Sequence, residues 1–336
     1  KIVMRAMLLT KPKPAEDNPL YEADLPKPVP GPGEIRVAVS VCGVCHTDLH
    51  IVEGELPLPK LPLVPGHQIV GRIERVGPGV HNFKEGDRAG IPWLHSTDGT
   101  CPYCAKGLEN LCERARFTGY HRDGGYAEAA VISASFAYSI PPVFSDTEAA
   151  PLLCAGVIGY RSLRLSSVKP GERLGVYGFG ASAHIIIQIA RHQGCEVFVF
   201  TRNPQHQELA SSLGAAWTGT AQDQPPGLLD GAIIFAPAGP LVLDALRVLR
   251  PGGTLALAGI TMSPIPEMDY GLIYRERIVR SVANSTREDI RELLRLAAEI
   301  PVRTEVQTFP LAEANRALQA LKHSEIRGAG VLTVAS

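Results

Sequence analysis

The residues with the most reactive chemistry cluster in the run Cys45-His46-Thr47-Asp48-Leu49-His50, which holds a thiol, two imidazoles, a hydroxyl and a carboxylate. His67 and Cys154 follow further along the chain. A catalytic zinc site needs three protein ligands and one open position, and two cysteines with one histidine are a known ligand set. The sequence therefore offers a metal centre beside proton-handling groups. Spacing alone does not join residues so far apart, and buried core cysteines with a core histidine are the alternative.

A second cluster has the tighter spacing Cys101-x2-Cys104-x7-Cys112, which is typical of tetrahedral zinc. Three thiols leave one ligand to be supplied. Asp98 repeats the interval between the first two cysteines, and a carboxylate oxygen is an acceptable zinc ligand, whereas His95 is a weaker candidate. Four protein ligands leave no room for substrate, so this zinc would be structural. An empty or oxidised cluster is the alternative.

The segment Gly178-x-Gly180-x-x-Ala183 lies between a predicted strand and a predicted helix, the context that a dinucleotide fingerprint needs. The first glycine permits a tight turn, the second lets the backbone approach a pyrophosphate, and the small Ala183 allows close packing of helix on strand. The phosphates would lie at a helix N-terminus, where unpaired N–H groups favour an anion. A glycine-rich turn without a ligand is the alternative.

The end of the second strand of this unit bears on the choice between the two nicotinamide cofactors. An acidic residue there would bond the ribose hydroxyls of NAD, whereas a nearby arginine would accommodate the 2′-phosphate of NADP. The strand ends with Phe200-Thr201-Arg202-Asn203 and carries no carboxylate. The sequence therefore favours NADP, with Thr201 and Arg202 as contacts. Arg202 could also be a solvated loop residue, and NAD remains possible.

The composition excludes several classes of protein. A chain of 336 residues is longer than one that usually folds around a single hydrophobic core, so two domains are expected. The net charge of -1 gives no reason to expect nucleic acid or an anionic membrane as partner. No apolar run is long enough for a transmembrane helix, and the first ten residues lack the regions of a secretory signal. Seven cysteines, clustered rather than spread as a disulfide framework, predict metal ligation in a reducing compartment, the cytoplasm by default.

The type of secondary structure predicted to position these residues changes near Pro151. Before it, short apolar strands such as Ile35–Val41 and Ile69–Val76 alternate with Pro/Gly punctuation, which suits a small β-barrel. After it, strands alternate with helices, which indicates an α/β unit with a parallel sheet. The strands predicted there are 173–177, 197–200, 232–236 and 254–258, and the helices are 209–213 and 241–249. The tail is predicted to contain a capping box at Ser285-Thr286-Arg287-Glu288, helices 290–299 and 311–321, and a strand 330–334.

These pieces, taken in order, resemble the zinc-containing medium-chain alcohol dehydrogenases over nearly the whole chain. The resemblance implies a GroES-like β-barrel catalytic domain at 1–150, to which 286–336 returns, and a Rossmann cofactor domain with a doubly wound parallel sheet at 151–285. The matching motifs are 43–50 (Gly-Val-Cys-His-Thr-Asp-Leu-His), Pro65-Gly66-His67, Gly86-Asp87-Arg88, Glu109-Asn110-Leu111-Cys112, Gly124-Gly125-Tyr126-Ala127-Glu128, 149–156 (Ala-Ala-Pro-Leu-Leu-Cys-Ala-Gly), the glycine turn, 310–315 and 328–332.

The same resemblance implies that Cys45, His67 and Cys154 hold a catalytic zinc, and that Asp48 orients His67 from behind, as metal-bound histidines require. The chain departs from the family in having Gln68 where members often have glutamate after the zinc histidine. A neutral amide is a poorer ligand, which puts in doubt any ligand exchange through that residue. Asp98 stands where many members have a structural cysteine, and Ala183 replaces the third glycine.

The resemblance also implies contacts with the cofactor and the substrate. His46 and Arg287 match positions that contact the cofactor pyrophosphate, and Trp93 falls where the family lines its substrate pocket. Ile158 replaces a threonine common near the nicotinamide, so we expect apolar contact there instead. A homodimer or homotetramer is implied as well.

The expected reaction is reversible oxidation of a primary or secondary alcohol to an aldehyde or ketone, with two zinc ions per chain and NADP preferred. The alcohol would bind at the open zinc position, where a Lewis acid favours loss of its proton. The proton would pass to Thr47 and then, through the cofactor ribose, to His50, whose imidazole titrates near neutral pH. Two alternatives are a zinc-free quinone or enone reductase of the same fold and an inactive nucleotide-binding protein.

Overall fold

The computed structural model describes residues 3–334, which divide into two compact units. The first unit contains the chain up to Cys154 together with Thr286–Ala298 and the segment from Thr304 onward. The second contains Ala155–Ser285 and Glu299–Arg303. Most of the tail therefore lies with the first unit. Within residues 3–334, no helix is both long and apolar enough to cross a membrane.

The first unit is built on a seven-stranded sheet in the order β16-β17-β3-β4-β5-β9, with β8 pairing along the first half of β3. Two smaller antiparallel pairs, β1 with β2 and β6 with β7, accompany it. The strands, numbered along the chain, are β1 Val3–Leu9, β2 Leu20–Pro26, β3 Glu34–Val44, β4 Gln68–Val76, β5 Arg88–Ile91, β6 Leu94–Ser96, β7 Arg116–Phe117, β8 Ala129–Ser133, β9 Tyr138–Ser139, β16 Val306–Pro310 and β17 Ala329–Thr333.

Five helices are assigned mainly to this first unit, and the first of them matters most for the site. It begins directly after β3, so the end of that strand and the first helical turn form one continuous segment. The helices are α1 His46–Glu53, α2 Pro102–Ala105, α3 Asp146–Ala149, α8 Arg287–Glu299 and α9 Ala314–Lys322.

The strands of the first unit follow from their residue patterns. In β3 every second residue from Ile35 to Val41 is buried, and the last residues of the strand, from Val41 to Val44, are all buried. This period of two is the expectation for a sheet with one face on the core. The strands predicted at 35–41 and 69–76 are confirmed as parts of β3 and β4.

The second unit is a six-stranded sheet, entirely parallel, in the order β12-β11-β10-β13-β14-β15. Counted from its own first strand this is 3-2-1-4-5-6, the order of two mononucleotide-binding halves that meet between β10 and β13. The strands are β10 Arg173–Tyr177, β11 Glu196–Phe200, β12 Trp217–Gly219, β13 Leu229–Ile234, β14 Leu249–Leu257 and β15 Ile278–Ser281, and the helices are α4 Ala155–Leu165, α5 Ala181–His192, α6 Pro204–Ser212 and α7 Leu241–Val248.

The second unit confirms the predicted alternation of strands and helices, with β10 matching its predicted bounds. Its central strands are apolar along most of their length because both faces of a parallel sheet are covered. Helix α6 begins earlier than predicted, at Pro204, because the side chain of Asn203 accepts a hydrogen bond from Gln205 N and caps it. The last helix, α9, begins later than predicted because Leu311–Glu313 forms a 3₁₀ turn first.

The predicted capping box before α8 is wrong by one residue. Thr286 rather than Ser285 is the capping residue, since its Oγ1 accepts from Asp289 N at 3.2 Å. The carboxylate of Asp289 in turn accepts from Thr286 N at 2.8 Å. Both groups are buried, so this reciprocal pair fixes where the helix starts.

Candidate active site

Three segments of the first unit bring Cys45, His67 and Cys154 together. Cys45 occupies the capping position between β3 and α1, His67 immediately precedes β4, and Cys154 follows a 3₁₀ turn at Ala150–Leu153. His67 Nε2 lies 3.3 Å from Cys45 Sγ and 3.3 Å from Cys154 Sγ. All three ligand atoms lie within 4.8 Å of one another. The fold therefore joins residues that spacing in the sequence could not.

This donor set fits zinc. Tetrahedral zinc, with Zn–S near 2.3 Å and Zn–N near 2.0–2.1 Å, separates neighbouring sulfur and nitrogen ligands by about 3.5 Å. The observed 3.3 Å separations are close to that value. His67 is fully buried, whereas both cysteines are partly exposed. Three protein donors leave a fourth position for substrate, as a catalytic site requires.

The protonation of this cluster is coupled to metal binding. The hydrogen bond with Cys154, together with burial, raises the pKa of Cys45 well above its ordinary value. Burial alone would lower the pKa of His67, but the Cys45 sulfur and the Asp48 carboxylate raise it to about 10. Zinc ligation needs a thiolate and a neutral imidazole, so binding would release protons and would strengthen as the pH rises.

Asp48 lies behind the cluster, fully buried at the third residue of α1. Its Oδ1 lies 3.0 Å from His67 Nδ1, and its Oδ2 accepts from Cys45 N at 3.1 Å. The Tyr126 hydroxyl donates to the same Oδ2 at 3.3 Å. A carboxylate on Nδ1 fixes the ring tautomer that leaves Nε2 for a metal. Asp48 therefore both closes the first turn of α1 and orients His67.

The groups predicted to move the proton lie one turn apart on α1. Thr47 is partly exposed, and its hydroxyl forms no hydrogen bond with any residue between 3 and 334. It does not cap the helix, because Cys45 occupies the capping position. His50 is not a surface residue, since its side chain is only 12% exposed. Its Nδ1 forms a close ion pair with Glu55, which follows the end of the helix.

Trp93 forms an apolar wall beside the cluster. Its ring meets the His67 ring edge-on, with centroids 4.8 Å apart, and the side chain is buried. The other face stacks on Phe117 at 4.9 Å, and Tyr120 lies 5.8 Å away. The aromatic groups restrict water beside the candidate metal position and present an apolar surface there.

The second predicted metal cluster is also assembled. Ligand atoms of its four residues lie within 4.8 Å of one another, and these residues are Asp98, Cys101, Cys104 and Cys112. Cys101 caps the short helix α2, and its sulfur accepts from Cys104 N at 3.4 Å. Four donors of zinc-binding type around one point fit a closed structural site.

Asp98 is held in a defined orientation, and His95 is not a ligand. Asp98 Oδ1 accepts from Cys101 N at 3.0 Å and from Thr100 N at 2.9 Å, and these hydrogen bonds lower the pKa of the carboxyl. His95 is buried instead, with Nε2 3.1 Å from the carbonyl oxygen of Val131. Burial lowers the pKa of His95 to about 4. The structure therefore excludes the weaker candidate.

The glycine turn in the second unit has the form that a pyrophosphate needs. Gly178 has a φ of +84°, and a Cβ there would lie 3.1 Å from Ala236. A Cβ on Gly180, by contrast, would meet nothing within 4 Å, so the protein itself leaves that space open. Helix α5 starts there without a side-chain cap, and Ala183 is fully buried beneath it. Uncapped N–H groups at a helix N-terminus favour an anion.

The residues after β11 differ in their surroundings. Thr201 is buried, its N donates to the carbonyl oxygen of Gly219 at 2.8 Å, and its own carbonyl oxygen accepts from Gln207 Nε2 at 2.7 Å. Arg202 is exposed, and its guanidinium has no acceptor among residues 3–334. The backbone is thus fixed while the cationic side chain stays available to a ligand.

The two first-unit residues expected at the pyrophosphate are held differently. His46 is exposed at the start of α1. Arg287, the first residue of α8, donates from its backbone N and its Nε to Glu109 Oε1, at 2.9 and 3.1 Å. Its guanidinium lies 4.7 Å above the Phe136 ring. Within the described residues the terminal nitrogens of Arg287 have no acceptor, so they remain open to an anion.

Comparison with known families agrees with this arrangement. The family described as alcohol dehydrogenase GroES-like domain matches residues 31–142, and the family described as zinc-binding dehydrogenase matches residues 181–299. A probable alcohol dehydrogenase AdhA of Mycobacterium tuberculosis is 47% identical, over 98% of this chain and 97% of that protein. This chain belongs to the zinc-containing medium-chain alcohol dehydrogenases. The first unit accordingly carries the GroES-like domain, and the second has the Rossmann fold.

Other members of the family are similar over the same length. An alcohol dehydrogenase of Geobacillus stearothermophilus is 39% identical, over 94% of this chain and 97% of the relative. Among solved structures, a cinnamyl alcohol dehydrogenase from Sorghum bicolor has a TM-score of 0.91 at 28% identity, covering 98% of this chain and 97% of that one. The alcohol dehydrogenase of Aeropyrum pernix has a TM-score of 0.87 at 30% identity, covering 98% and 100%.

Two departures from the medium-chain alcohol dehydrogenase pattern can now be placed. Gln68 is buried at the start of β4, and its side chain packs against Gly43 of β3, where a Cβ would lie 2.9 Å from it. A change of side chain here therefore alters strand packing as well as metal chemistry. Ile158 is half-buried on α4 in the second unit.

Sequence reasoning missed three residues that contact the candidate site residues. Glu55 pairs with His50, Tyr126 bonds Asp48, and Glu109 bonds Arg287. Tyr126 and Glu109 lie inside the motifs that carry the family resemblance, which was the available signal. Their roles were hidden because each partner comes from a distant segment.

Proposed function

We propose that this alcohol dehydrogenase depends on zinc and transfers hydride reversibly between a primary or secondary alcohol and a nicotinamide cofactor, with NADP preferred. The observation that carries the proposal is the convergence of Cys45 Sγ, His67 Nε2 and Cys154 Sγ within 4.8 Å. Two soft sulfurs and one imidazole are a zinc ligand set with one position left for substrate. The two compact units correspond, on this proposal, to a catalytic and a cofactor domain.

A zinc ion held by these three residues would act as a Lewis acid on the alcohol oxygen and favour loss of its proton. The protein's own contribution is orientation and exclusion of water. Asp48 keeps the Nδ1 proton on His67, and Trp93 covers one side of the imidazole. In such a dry environment a fixed charge acts more strongly than it does in water.

The substrate proton is proposed to leave along α1. The Thr47 hydroxyl has no hydrogen bond with any residue in the range 3–334, so it can accept a hydrogen bond from the substrate and pass the proton on. His50, one turn later, exchanges the proton with solvent. Its Nδ1 is in close contact with the half-exposed carboxylate of Glu55, which fixes the orientation of the ring. Proton transfer by positioned groups contributes about 10²–10⁴-fold to rates.

The preference for NADP rests on the end of β11. The sequence there, Phe200-Thr201-Arg202-Asn203, holds no carboxylate to bond ribose hydroxyls, and the exposed Arg202 has no partner to release within the described part of the chain. Gly178, Gly180 and Ala183 are proposed to hold the pyrophosphate against α5. The solved relatives do not decide the question, since a Helicobacter pylori enzyme is described as complexed with NADP(H) and another as an NAD-dependent alcohol dehydrogenase.

His46 and Arg287 are proposed to contribute further pyrophosphate contacts. Arg287 is suited to this because its Nε is anchored on Glu109 while its terminal nitrogens stay open. An arginine fixed at one edge loses less freedom when it binds an anion with the other.

A second zinc is proposed at Asp98, Cys101, Cys104 and Cys112, bringing the total to two per chain. Its role would be structural, since the four protein donors close the coordination sphere. The chain from Asp98 to Cys112 contains only the four-residue helix α2 and one 3₁₀ turn, so a metal would supply much of its order.

The substrate is proposed to be an apolar small-molecule alcohol or aldehyde, because Trp93 and Phe117 form the wall nearest the cluster. A cytoplasmic location is proposed from the thiol chemistry, since both metal clusters need reduced cysteines.

Self-association is proposed through β15, the last strand of the parallel sheet. Its pairing partner is β14 on one side, and Ile278 on it is 51% exposed. An open edge with exposed apolar residues needs cover, and a second copy would supply it in a homodimer or homotetramer. Light scattering tests this, and a mass of 36.0 kDa in solution would contradict it.

The experiment that tests the proposed function is a panel of alcohols and aldehydes assayed by nicotinamide absorbance with both cofactors, on protein of measured zinc content. The variant Cys45→Ser should lose turnover while still binding NADPH, because the cofactor turn lies in the other unit. Wild-type activity in this variant would eliminate Cys45 as a ligand. Fully zinc-loaded protein that converts no member of the panel would refute the proposal.

A further inference from the structure

One buried aromatic residue touches both segments that present His67. Tyr126 is fully buried, and its hydroxyl donates to Asp48 Oδ2 at 3.3 Å. Its ring packs closely against Gly66, since a Cβ on that glycine would be 2.4 Å from ring atom Cδ1. Its backbone N donates to the carbonyl oxygen of Pro65 at 2.9 Å. Tyr126 thus contacts the residues before His67 in the chain and the carboxylate behind its ring.

The hydrogen bonds to Asp48 divide between its two oxygens. Oδ2 receives the Tyr126 hydroxyl and the Cys45 amide, whereas Oδ1 is left to His67 Nδ1. A buried carboxylate must have such partners, because an unsatisfied charge in the core is costly. With Oδ2 occupied, the carboxylate cannot turn without breaking bonds, so Oδ1 stays aimed at His67.

The contact with Gly66 acts on the other side of the histidine. Gly66 has a φ of +99°, a conformation that residues with a Cβ rarely adopt. Glycine has the widest conformational freedom of any residue, so this peptide needs outside contacts to hold it. The ring of Tyr126 supplies one such contact, directly before His67 in the chain.

We propose that Tyr126 is a positioning residue for the catalytic metal: it holds the Asp48 carboxylate and the Gly66 backbone so that His67 Nε2 faces the two sulfurs. The inference rests on the proposed function, because it presumes a metal at Cys45, His67 and Cys154. Tyr126 contributes no ligand atom and touches neither sulfur ligand through its hydroxyl. It acts only through Asp48 and the backbone.

The variant Tyr126→Phe removes the hydroxyl and keeps the ring on Gly66. Loss of a group that directly bonds a ligating histidine costs about 10–100-fold in metal affinity. Tyr126 bonds Asp48 rather than the histidine itself, and the Cys45 amide remains on Oδ2, so the effect should be smaller. We expect zinc to dissociate about three to ten times faster than from the unmodified protein. Tyr138→Phe is the matched control. Tyr138 is equally buried in the same unit, and its hydroxyl has no acceptor among the described residues.

The test follows the release of zinc to a coloured chelator, in which each zinc site gives its own kinetic phase. The phase that disappears in Cys45→Ser is assigned to the site at Cys45, His67 and Cys154. The expected result is a faster release of that phase in Tyr126→Phe, an unchanged phase from the Asp98 cluster, and no change in Tyr138→Phe. The visible spectrum of cobalt-substituted protein should shift in Tyr126→Phe alone. In an Asp48→Ala background, which lacks both carboxylate oxygens, Tyr126→Phe should add no further acceleration, since its route to the metal is already broken.

A wild-type release rate and cobalt spectrum in Tyr126→Phe would overturn the inference. Equal acceleration of both zinc phases would also overturn it, because that result reports general loosening of the unit. Failure of the proposed function looks different. In that case Cys45→Ser would lose no zinc phase, whatever Tyr126→Phe does.

Discussion

Replacing Arg202 by alanine tests the proposed preference for NADP over NAD. Arg202 is exposed after β11, and its guanidinium bonds no residue between 3 and 334, so truncation removes no internal interaction. The neighbouring Thr201 keeps its backbone bonds to Gly219 and Gln207. The free energy of unfolding should therefore change by less than about 0.5 kcal/mol, as for other surface substitutions.

The effect on NADPH follows from what the guanidinium can donate to a 2′-phosphate. Hydrogen bonds to charged groups contribute about 1.5–3 kcal/mol, which corresponds to about 10- to 150-fold in the dissociation constant. NADH has no phosphate at that position, so its dissociation constant should change less than about threefold. Salt should reduce the difference, because Arg202 is exposed and its charge is screened.

The assay is a titration of nicotinamide fluorescence with NADPH and with NADH at two salt concentrations. Arg250→Ala is the control, since Arg250 is another exposed arginine of the same unit, near the start of β14. It removes the same charge away from β11 and should leave both dissociation constants within about twofold. An unchanged ratio of NADPH to NADH affinity in Arg202→Ala would refute the preference for NADP, as would an equal loss for both cofactors.

Three further variants test the other binding sites. Gly180→Val should leave the melting temperature nearly unchanged, because a Cβ there meets nothing within 4 Å, yet weaken NADPH at least about tenfold by filling the space for the pyrophosphate. A lower melting temperature with unchanged cofactor affinity would show that the space is structural. Asp98→Ala should reduce the zinc content measured by mass spectrometry from two ions per chain to one, whereas Asp98→Cys should keep both. Two ions in Asp98→Ala would remove that carboxylate from the ligand set.

Much of the fold could be predicted because its patterns are local. The alternation in β3 and the apolar run of β10 each reflect how a strand is buried, so the sequence shows them directly. The start of α8 could not be fixed in the same way. Ser285 and Thr286 can both cap a helix, and each is followed three residues later by an acid. The choice depends on which pair packs in the interior, and the structure buries Thr286 with Asp289.

The residues of the candidate site fall into the same two groups, those that a local pattern predicts and those that it does not. The spacing of Cys101 and Cys104 is a local signal, and it identified the cluster without any knowledge of the fold. The hydroxyl of Tyr126 meets Asp48 across 78 residues of sequence, and Arg287 meets Glu109 across 178. Contacts between residues so far apart in the chain produce no recognisable spacing in the sequence. They arise only when the sheets and helices have brought distant segments together.

The two metal clusters also differ in what the protein must supply to each. The cysteine loop has little regular structure, so a metal there would order the chain, and its ligands need few outside supports. The proposed catalytic ligands come instead from the end of β3, the start of β4 and a turn after α3. Regular secondary structure holds these segments, so a small change in their placement would move a ligand. The hydrogen bonds from Tyr126 to Asp48 and between Asp48 and His67 limit such a change on the side of the histidine.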